Sequence, residues 1–167
     1  MTRRIAVLSF LLMFVGILSA ADLKPYTSQA VTPRLELKDL QGNTHDLNDY
    51  KGQVVLLQFW ATYCTPCRTE MPSMNALMEK MNGTPFKILA VDMGENRAVV
   101  EKFVDQVKPQ FTILMDESGQ SIAQWKVFAA PSNFIIGPDG KIRYTLFGAV
   151  EWDSDALVAQ LKALASN

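Results

Sequence analysis

The chain has 167 residues, and its 16 lysines and arginines nearly balance 17 acidic residues. That length suits one domain, and a 49% content of hydrophobic residues excludes a disordered tail or a collagen-like repeat. The net charge of -1 gives no electrostatic basis for binding nucleic acid, and one histidine and two cysteines argue against a His-rich metal site and a multi-disulfide scaffold.

The first 21 residues differ from the rest of the chain. Arg3 and Arg4 follow the start, and the 17 residues from Ile5 to Ala21 carry no charge and end in small side chains. This pattern predicts a signal peptide over residues 1–21, with cleavage after Ala21. An uncleaved anchor remains the alternative, because 17 apolar residues lie at the short end of a membrane-spanning helix.

The remaining chain alternates strand and helix patterns. Residues 22–34 are interpreted as a polar lead-in, and residues 35–167 as one domain that begins with a hairpin around Gln41–Asn43. The run from Gln53 to Trp60 is almost continuously apolar, which is typical of a strand buried on both faces. The later predictions are a helix over 65–81, a strand over 86–91, a helix around 99–107, a strand over 112–115, a short helix over 118–125, a hairpin of strands 133–136 and 141–147, and a final helix capped by Asp153. Together they predict one α/β domain with a mixed sheet covered on both faces.

Cys64 and Cys67 lie between the buried strand and the following helix, separated by Thr65 and Pro66. A helix N-terminus presents unpaired N–H groups and a partial positive charge, which stabilise a thiolate. The first helical turn brings the two cysteines together, so that a disulfide can close and reopen. We predict that Cys64 is the exposed attacking thiolate and Cys67 the buried resolving thiol. Pro66 fits the first turn, where its missing N–H costs nothing.

Three other interpretations of the cysteine pair remain open. A structural disulfide over so short a loop would stabilise the fold by only about 2 kcal/mol in the loop-entropy model. A zinc ion normally needs four ligands, and only His45 could join the cysteines, so this interpretation requires a dimer. Two inert buried cysteines are the third interpretation. Redox chemistry is favoured over all three.

The segment from Phe59 to Pro72, FWATYCTPCRTEMP, resembles the active-site segment of the thioredoxin superfamily. More narrowly, it is similar to that of the extracytoplasmic TlpA/ResA-like thiol–disulfide oxidoreductases, over roughly residues 35–165. The resemblance implies a thioredoxin-like fold, in which helices flank a central mixed sheet, with an N-terminal β-hairpin and a βα insert before a cis-proline. The 64 residues from Cys67 to Pro131 leave room for two βα units.

The resemblance also implies roles for individual residues. Pro131 is expected to be the cis-proline, so that Ala130 offers its backbone N–H and carbonyl to a docked substrate strand; an ordinary trans proline is the alternative. Glu70 completes a CxxCxxE pattern and is expected to relay a proton to or from Cys67. The alternative for Glu70 is a solvated acid that interacts favourably with the helix dipole.

Neighbouring residues complete the predicted site. Tyr63 stands where relatives commonly have tryptophan, and we expect it to contact substrate as an aromatic lip, together with Pro66. We also predict that Trp60 contacts substrate, although a position in the core is favoured for it. Gln58 occupies the position of an acid in thioredoxin, and glutamine cannot take up a proton. His45 is expected to be a surface side chain.

These residues predict an exported thiol–disulfide oxidoreductase, with a reductase favoured over an oxidase or isomerase. Cys64 would attack a substrate disulfide, and Cys67 would resolve the mixed disulfide. A non-catalytic thioredoxin-like binding module is the alternative of a different class.

The resemblance further implies the surroundings in which the protein works. Its partners would be disulfide-containing extracytoplasmic proteins and a membrane electron donor of the DsbD or CcdA type. Apocytochrome c is one candidate substrate, although Pro131-Ser132-Asn133 departs from the Pro-Glu-Thr common in cytochrome-maturation members. We expect a monomer without metal or other cofactor in the periplasm or another extracytoplasmic space, attached to the membrane only if residues 5–21 are retained.

Overall fold

A computed structural model describes residues 23–28 and 30–166. The predicted signal peptide or anchor over residues 1–21 lies outside these ranges. No helix within them is long and apolar enough to cross a membrane. The strands are β1 (Lys24–Pro25), β2 (Glu36–Asp39), β3 (Thr44–Asp46), β4 (Val54–Trp60), β5 (Phe86–Asp92), β6 (Thr112–Met115), β7 (Ser132–Ile136) and β8 (Ile142–Phe147). The helices are α1 (Thr65–Lys80), α2 (Arg97–Val107), α3 (Gln120–Gln124) and α4 (Asp155–Ala165), and a 3-10 turn spans Leu47–Tyr50.

The strands form one sheet in the order β1-β8-β7-β4-β5-β6-β2-β3. The pairs β4–β5 and β5–β6 are parallel, whereas β7 runs antiparallel to β4, so the predicted mixed sheet is confirmed. The hairpin β2–β3 joins the sheet through β6. Two βα units, β5–α2 and β6–α3, lie between α1 and Pro131, which confirms the predicted insert.

The central strand β4 is buried along its whole length and serves both faces of the sheet. Alternate side chains of a strand point to opposite faces. Val54 and Leu56 pack with apolar residues of α1 and α4, and Trp60 packs with α1 and α2. Phe59 lies on the other face, against Trp125. The end of β4 is thereby fixed where α1 begins.

The start of α4 differs from the prediction that Asp153 caps it. The helix begins at Asp155, and Ser154 occupies the cap position without a side-chain hydrogen bond. Lys80 at the end of α1 approaches this turn instead, because its Nζ donates to the Asp153 carbonyl at 2.5 Å and to the Asp155 carboxylate at 3.4 Å. The cap prediction is wrong because a contact with α1, invisible in the local sequence, shapes the turn.

His45, in the hairpin, is not a free surface side chain, because both of its ring nitrogens have hydrogen-bond partners. Its Nε2 lies 3.0 Å from Asp39 Oδ2 and its Nδ1 lies 2.5 Å from the Tyr50 hydroxyl. Asp39 also accepts hydrogen bonds from the backbone N–H groups of Gln41 and Asn43. Burial by itself would raise the pKa of Asp39, but the bonds from His45 and Asn43 outweigh it and hold this pKa well below the ordinary value. The surface prediction for His45 is wrong, because the 3-10 turn folds against the hairpin.

Candidate active site

Cys64 and Cys67 form a disulfide at the N-terminus of α1, with their Cα atoms 5.3 Å apart. Cys64 is the cap residue of the helix, and its Sγ accepts a hydrogen bond from the backbone N–H of Cys67 at 3.3 Å. Cys64 is 9% exposed and Cys67 is fully buried. Cys64 is more exposed than Cys67, but the prediction that Cys64 is exposed is wrong for the disulfide form, because this side chain packs into an apolar cluster together with Cys67 and Ala130. Pro66 is exposed in the first turn, where its missing N–H is tolerated.

The charges around the start of α1 favour an anionic sulfur at Cys64. The first turn contains no acidic residue, so the partial positive charge of the helix N-terminus is not neutralised there. Arg68 follows Cys67, but its exposed side chain places the guanidinium 5.4 Å from the centre of the Phe103 ring, so we expect its effect on Cys64 to be small. The N-terminus of α1 therefore stabilises the thiolate that thiol–disulfide exchange requires.

Glu70 lies one turn beyond Cys67 and is only 2% exposed, so the alternative of a solvated acid is wrong. Gln58 Nε2 donates to its Oε1 at 2.5 Å. The backbone N–H of Val150 and the indole N–H of Trp152 donate to its Oε2 at 3.2 and 3.0 Å. Burial raises the pKa of Glu70 to about 7, although the two bonds to Oε2 oppose the shift. The carboxyl therefore changes charge near neutral pH.

Gln58 provides Glu70 with a partner that suits either protonation state. Its side chain is fully buried, and its Nε2 also points at the sulfur of Met74, 3.4 Å away. Its Oε1 has no hydrogen-bond partner within the described part of the chain. Rotation of the amide by half a turn would present this oxygen to a protonated Glu70. The sequence indicated that Gln58 carries no proton, but it did not reveal this contact.

The loop before β7 brings a proline to the cysteines. The Ala130–Pro131 peptide bond is cis, which confirms the predicted isomer and excludes the trans alternative. Ala130 packs against the apolar cluster that contains Cys64 and Cys67. The Pro131 carbonyl accepts a bond from the backbone of Gly148 at 3.0 Å. Among the described residues, none bonds to the backbone N–H or carbonyl of Ala130, which leaves both free for another chain.

The aromatic residues close in sequence to Cys64 and Pro131 separate into a buried and an exposed group. Trp60 is fully buried and its ring centre lies 5.3 Å from that of Phe103, so the prediction that it contacts substrate is wrong and its core packing is confirmed. Tyr63, directly before Cys64, is 74% exposed, and Phe128, in the loop that contains the cis-proline, is 92% exposed. Sequence reasoning missed Phe128, although an aromatic side chain three residues before Pro131 could have indicated it.

Comparisons with known proteins agree with this geometry. Residues 29–145 match the AhpC/TSA family. The thiol–disulfide oxidoreductase ResA of Geobacillus thermodenitrificans is 37% identical over 121 residues, which cover 72% of this chain and 70% of that protein. A thiol:disulfide interchange protein of Chlorobium tepidum, DsbE, has a similar structure, with a TM-score of 0.74 at 31% identity over 88% of this chain and 99% of that one. StoA from Bacillus subtilis gives a TM-score of 0.66 at 26% identity over 83% and 99% of the two chains.

Proposed function

Because this chain belongs to the AhpC/TSA family and is a thiol–disulfide oxidoreductase of the ResA type, we propose that it reduces disulfides in extracytoplasmic proteins. The observation that carries the proposal is the buried carboxyl of Glu70, with a pKa of about 7, one helical turn beyond the resolving Cys67. A resolving thiol must lose its proton before it attacks, and a nearby base that titrates at neutral pH can accept that proton.

The first step takes place at Cys64. In the dithiol form its thiolate, stabilised by the N-terminus of α1, attacks one sulfur of the substrate disulfide. A bond forms between Cys64 Sγ and that sulfur, and the substrate's other sulfur leaves as a thiolate, which takes up a proton. The substrate is then held on the protein as a mixed disulfide.

The second step releases the substrate. Cys67 gives its proton to the Glu70 carboxylate, and the resulting thiolate attacks Cys64 Sγ. The Cys64–Cys67 bond forms, and the bond from Cys64 to the substrate breaks, so two electrons have passed to the substrate. Gln58 can turn its amide oxygen toward the protonated Glu70. The proton then leaves Glu70 for the departing substrate thiolate or for solvent.

The direction of a reductase requires that the reduced form of the cysteine pair is not strongly stabilised. Cys67 is fully buried, and an ionised Glu70 nearby would disfavour a second negative charge on its sulfur. An oxidant such as DsbA owes its high reduction potential to a stabilised reduced form. Burial and an ionised Glu70 keep Cys67 protonated in the reduced form, so that any stabilisation of this form comes from the thiolate of Cys64 alone.

The substrate would lie across the free backbone of Ala130, between the exposed rings of Tyr63 and Phe128. An extended segment could add its backbone hydrogen bonds to Ala130 and place apolar side chains on the two rings. Apocytochrome c, whose two haem-binding cysteines lie in such a segment, is one candidate. The dithiol would be regenerated by a membrane donor of the DsbD or CcdA type, after export directed by residues 1–21.

Trapping of the mixed disulfide tests this function. The reduced Cys67→Ser variant is mixed with insulin, or with an oxidised peptide that contains the cysteine pair of apocytochrome c, and adducts are identified by mass. We expect a persistent adduct on Cys64, whereas the wild-type protein releases reduced substrate.

Faster reaction with the cytochrome peptide than with insulin would support apocytochrome c as the substrate. Failure to reduce either one, while a small aromatic disulfide still reacts, would contradict the proposal. Oxidation of reduced, unfolded protein by the disulfide form would favour the oxidase alternative.

A further inference from the structure

Glu95 is hydrogen-bonded to the loop that contains Cys64. It lies between β5 and α2, and its Oε2 accepts a hydrogen bond from the backbone N–H of Thr62 at 2.5 Å. Its Oε1 accepts a second bond from the Thr62 hydroxyl at 2.6 Å. Thr62 belongs to the connection from β4 to α1, two residues before Cys64. Both oxygens of one carboxylate therefore hold one residue of the active-site loop.

The connection that carries Glu95 is anchored on both sides. The backbone N–H of Glu95 donates to Asp92 Oδ1 at 2.8 Å, at the end of β5. Asn96 caps α2 by accepting the N–H of Ala98 at 2.9 Å. Gly94 adopts a φ of +83°, a conformation that side chains rarely take, and this lets the chain turn between the two anchors. Glu95 is thus held in place by the elements on either side of it.

Two backbone hydrogen bonds restrain Cys64 itself, and one of them is accepted by its carbonyl from the N–H of Arg68 at 3.1 Å. The backbone N–H of Cys64 donates to the Ala61 carbonyl at 3.1 Å and closes a turn over residues 61–64. The disulfide to Cys67 is the only covalent restraint on the Cys64 side chain within the described residues, and reduction removes it. In the reactive dithiol form this restraint is absent. The position of the Cys64 sulfur then depends more strongly on the two hydrogen bonds between Glu95 and Thr62.

We propose that Glu95 is a positioning residue for thiol–disulfide exchange, and that it acts through Thr62 to fix where the Cys64 thiolate stands when it attacks. The inference rests on exchange chemistry at Cys64 and is independent of the direction of electron flow. A further carboxyl, Asp92, lies close to Glu95, so the variants below separate the effect of the two hydrogen bonds to Thr62 from the effect of the charge. A displacement of about 1 Å at a reacting group can cost roughly 100-fold in rate.

The test measures how fast the reduced protein reacts with 5,5′-dithiobis(2-nitrobenzoate) under single-turnover conditions at pH 8. Glu95→Ala removes both hydrogen bonds to Thr62, and we expect a rate about 10-fold lower than that of the wild type. Glu95→Gln removes the charge but keeps both bonds, because its amide can accept from the Thr62 N–H and donate to the Thr62 hydroxyl oxygen. We expect the Gln variant to stay within about threefold of the wild-type rate.

Two further variants keep the test interpretable. Thr62→Val loses only the hydroxyl bond, and combining it with Glu95→Ala should slow the reaction no more than Glu95→Ala alone. Glu101→Ala, on the exposed side of α2, should react like the wild type. The folded fraction of each variant is measured by circular dichroism, and rates are compared per folded molecule.

A rate for Glu95→Ala within twofold of the wild type would overturn the proposal. A Gln variant as slow as the Ala variant would also overturn it, because charge and not position would then be responsible. The small probe needs no protein docking. A wild-type protein that reacts with this probe but not with protein disulfides would therefore contradict only the proposed function.

Discussion

Glu70 in α1 and Asp39 in β2 are both buried carboxyls, yet their surroundings shift their pKa values in opposite directions. Asp39 faces four groups that stabilise its charge: the backbone N–H groups of Gln41 and Asn43, the side-chain amide of Asn43, and His45 Nε2. Glu70 Oε1 meets the amide of Gln58, which can offer either a donor or an acceptor. The hydrogen bonds therefore outweigh burial at Asp39, whereas burial outweighs the hydrogen bonds at Glu70.

This difference separates the carboxyl to which we assign a proton-transfer role from one that holds the fold together. Burial disfavours the charge in both places, and the number and strength of the hydrogen bonds to the carboxyl decide which effect prevails. The active-site end of α1 thus keeps a group able to exchange a proton at neutral pH. The hairpin keeps a fixed anion that ties β2 to the 3-10 turn through His45.

The sharpest test of the comparison is the activity of Glu70→Gln. Without a base for Cys67, we expect resolution of the mixed disulfide to slow by about 100-fold above pH 7. The wild-type rate of this step should rise with pH through the pKa of Glu70, about 7, and this rise should be missing in the variant. Both are measured by quenching single turnovers with acid and counting adducts by mass.

Glu79→Gln is the matched control for this prediction, because Glu79 is exposed on the same helix. It should leave the rate and its pH dependence unchanged. If Glu70→Gln resolves the mixed disulfide as fast as the wild type at every pH, Glu70 does not accept the proton of Cys67.

The two carboxyls should also give opposite dependences of stability on pH. The pKa of Glu70 is raised from 4.5 to about 7, so its contribution is fully present below pH 4.5 and is lost as the pH rises to 7. Relative to the wild type, Glu70→Gln should therefore gain about 2 to 3 kcal/mol in unfolding free energy between pH 4.5 and 7.5. Urea unfolding over this range measures the gain, and a constant difference would contradict the raised pKa.

Asp39→Asn should show the reverse. The lowered pKa of Asp39 means that its contribution is present above pH 3.8 and is lost as the pH falls through its folded value. At pH 7 we expect the variant to lose about 1 to 2 kcal/mol in unfolding free energy, with no change in the rate of exchange at Cys64. The loss should shrink below pH 4. A reduced exchange rate per folded molecule would contradict the prediction, because it would show that Asp39 also affects the chemistry at Cys64.

The smallest expected effect concerns Phe128, the exposed aromatic residue in the loop that contains the cis-proline. Phe128→Ala should raise the KM for a protein disulfide by about fivefold and leave kcat unchanged, because it removes apolar contact area from substrate binding. Val31→Ala is a suitable control, since Val31 is 90% exposed but lies in the lead-in to the hairpin. Equal effects of the two substitutions in steady-state assays would show that Phe128 has no special role.

Local patterns were sufficient to predict most of the fold. The apolar run of β4, the two βα units and the cysteine pair at the start of α1 depend on periodicity and motifs within the sequence itself. The wrong predictions concerned residues whose partners are distant in the chain. Lys80 reaches the turn that Asp153 was expected to cap, and Tyr50 together with Asp39 takes up His45.

The site divides in the same way. The cysteines, Pro131 and Glu70 could be named from spacing and resemblance. The bond from Gln58 to Glu70 and the bonds from Thr62 to Glu95 join residues 12 and 33 positions apart, and no pattern along the chain indicates such pairs. Phe128 is exposed only because of the shape of its loop.

The reduction potential of the Cys64–Cys67 pair tests the proposed direction of electron flow most directly. The purified protein would be equilibrated in dithiol buffers, trapped with a thiol reagent and counted by mass. We expect a potential near or below that of thioredoxin, about -270 mV, because a protein that donates electrons to substrate disulfides cannot have a reduced form as strongly stabilised as that of DsbA. A value near that of DsbA, about -120 mV, would mean that the dithiol is the stable form, and would contradict a reductase.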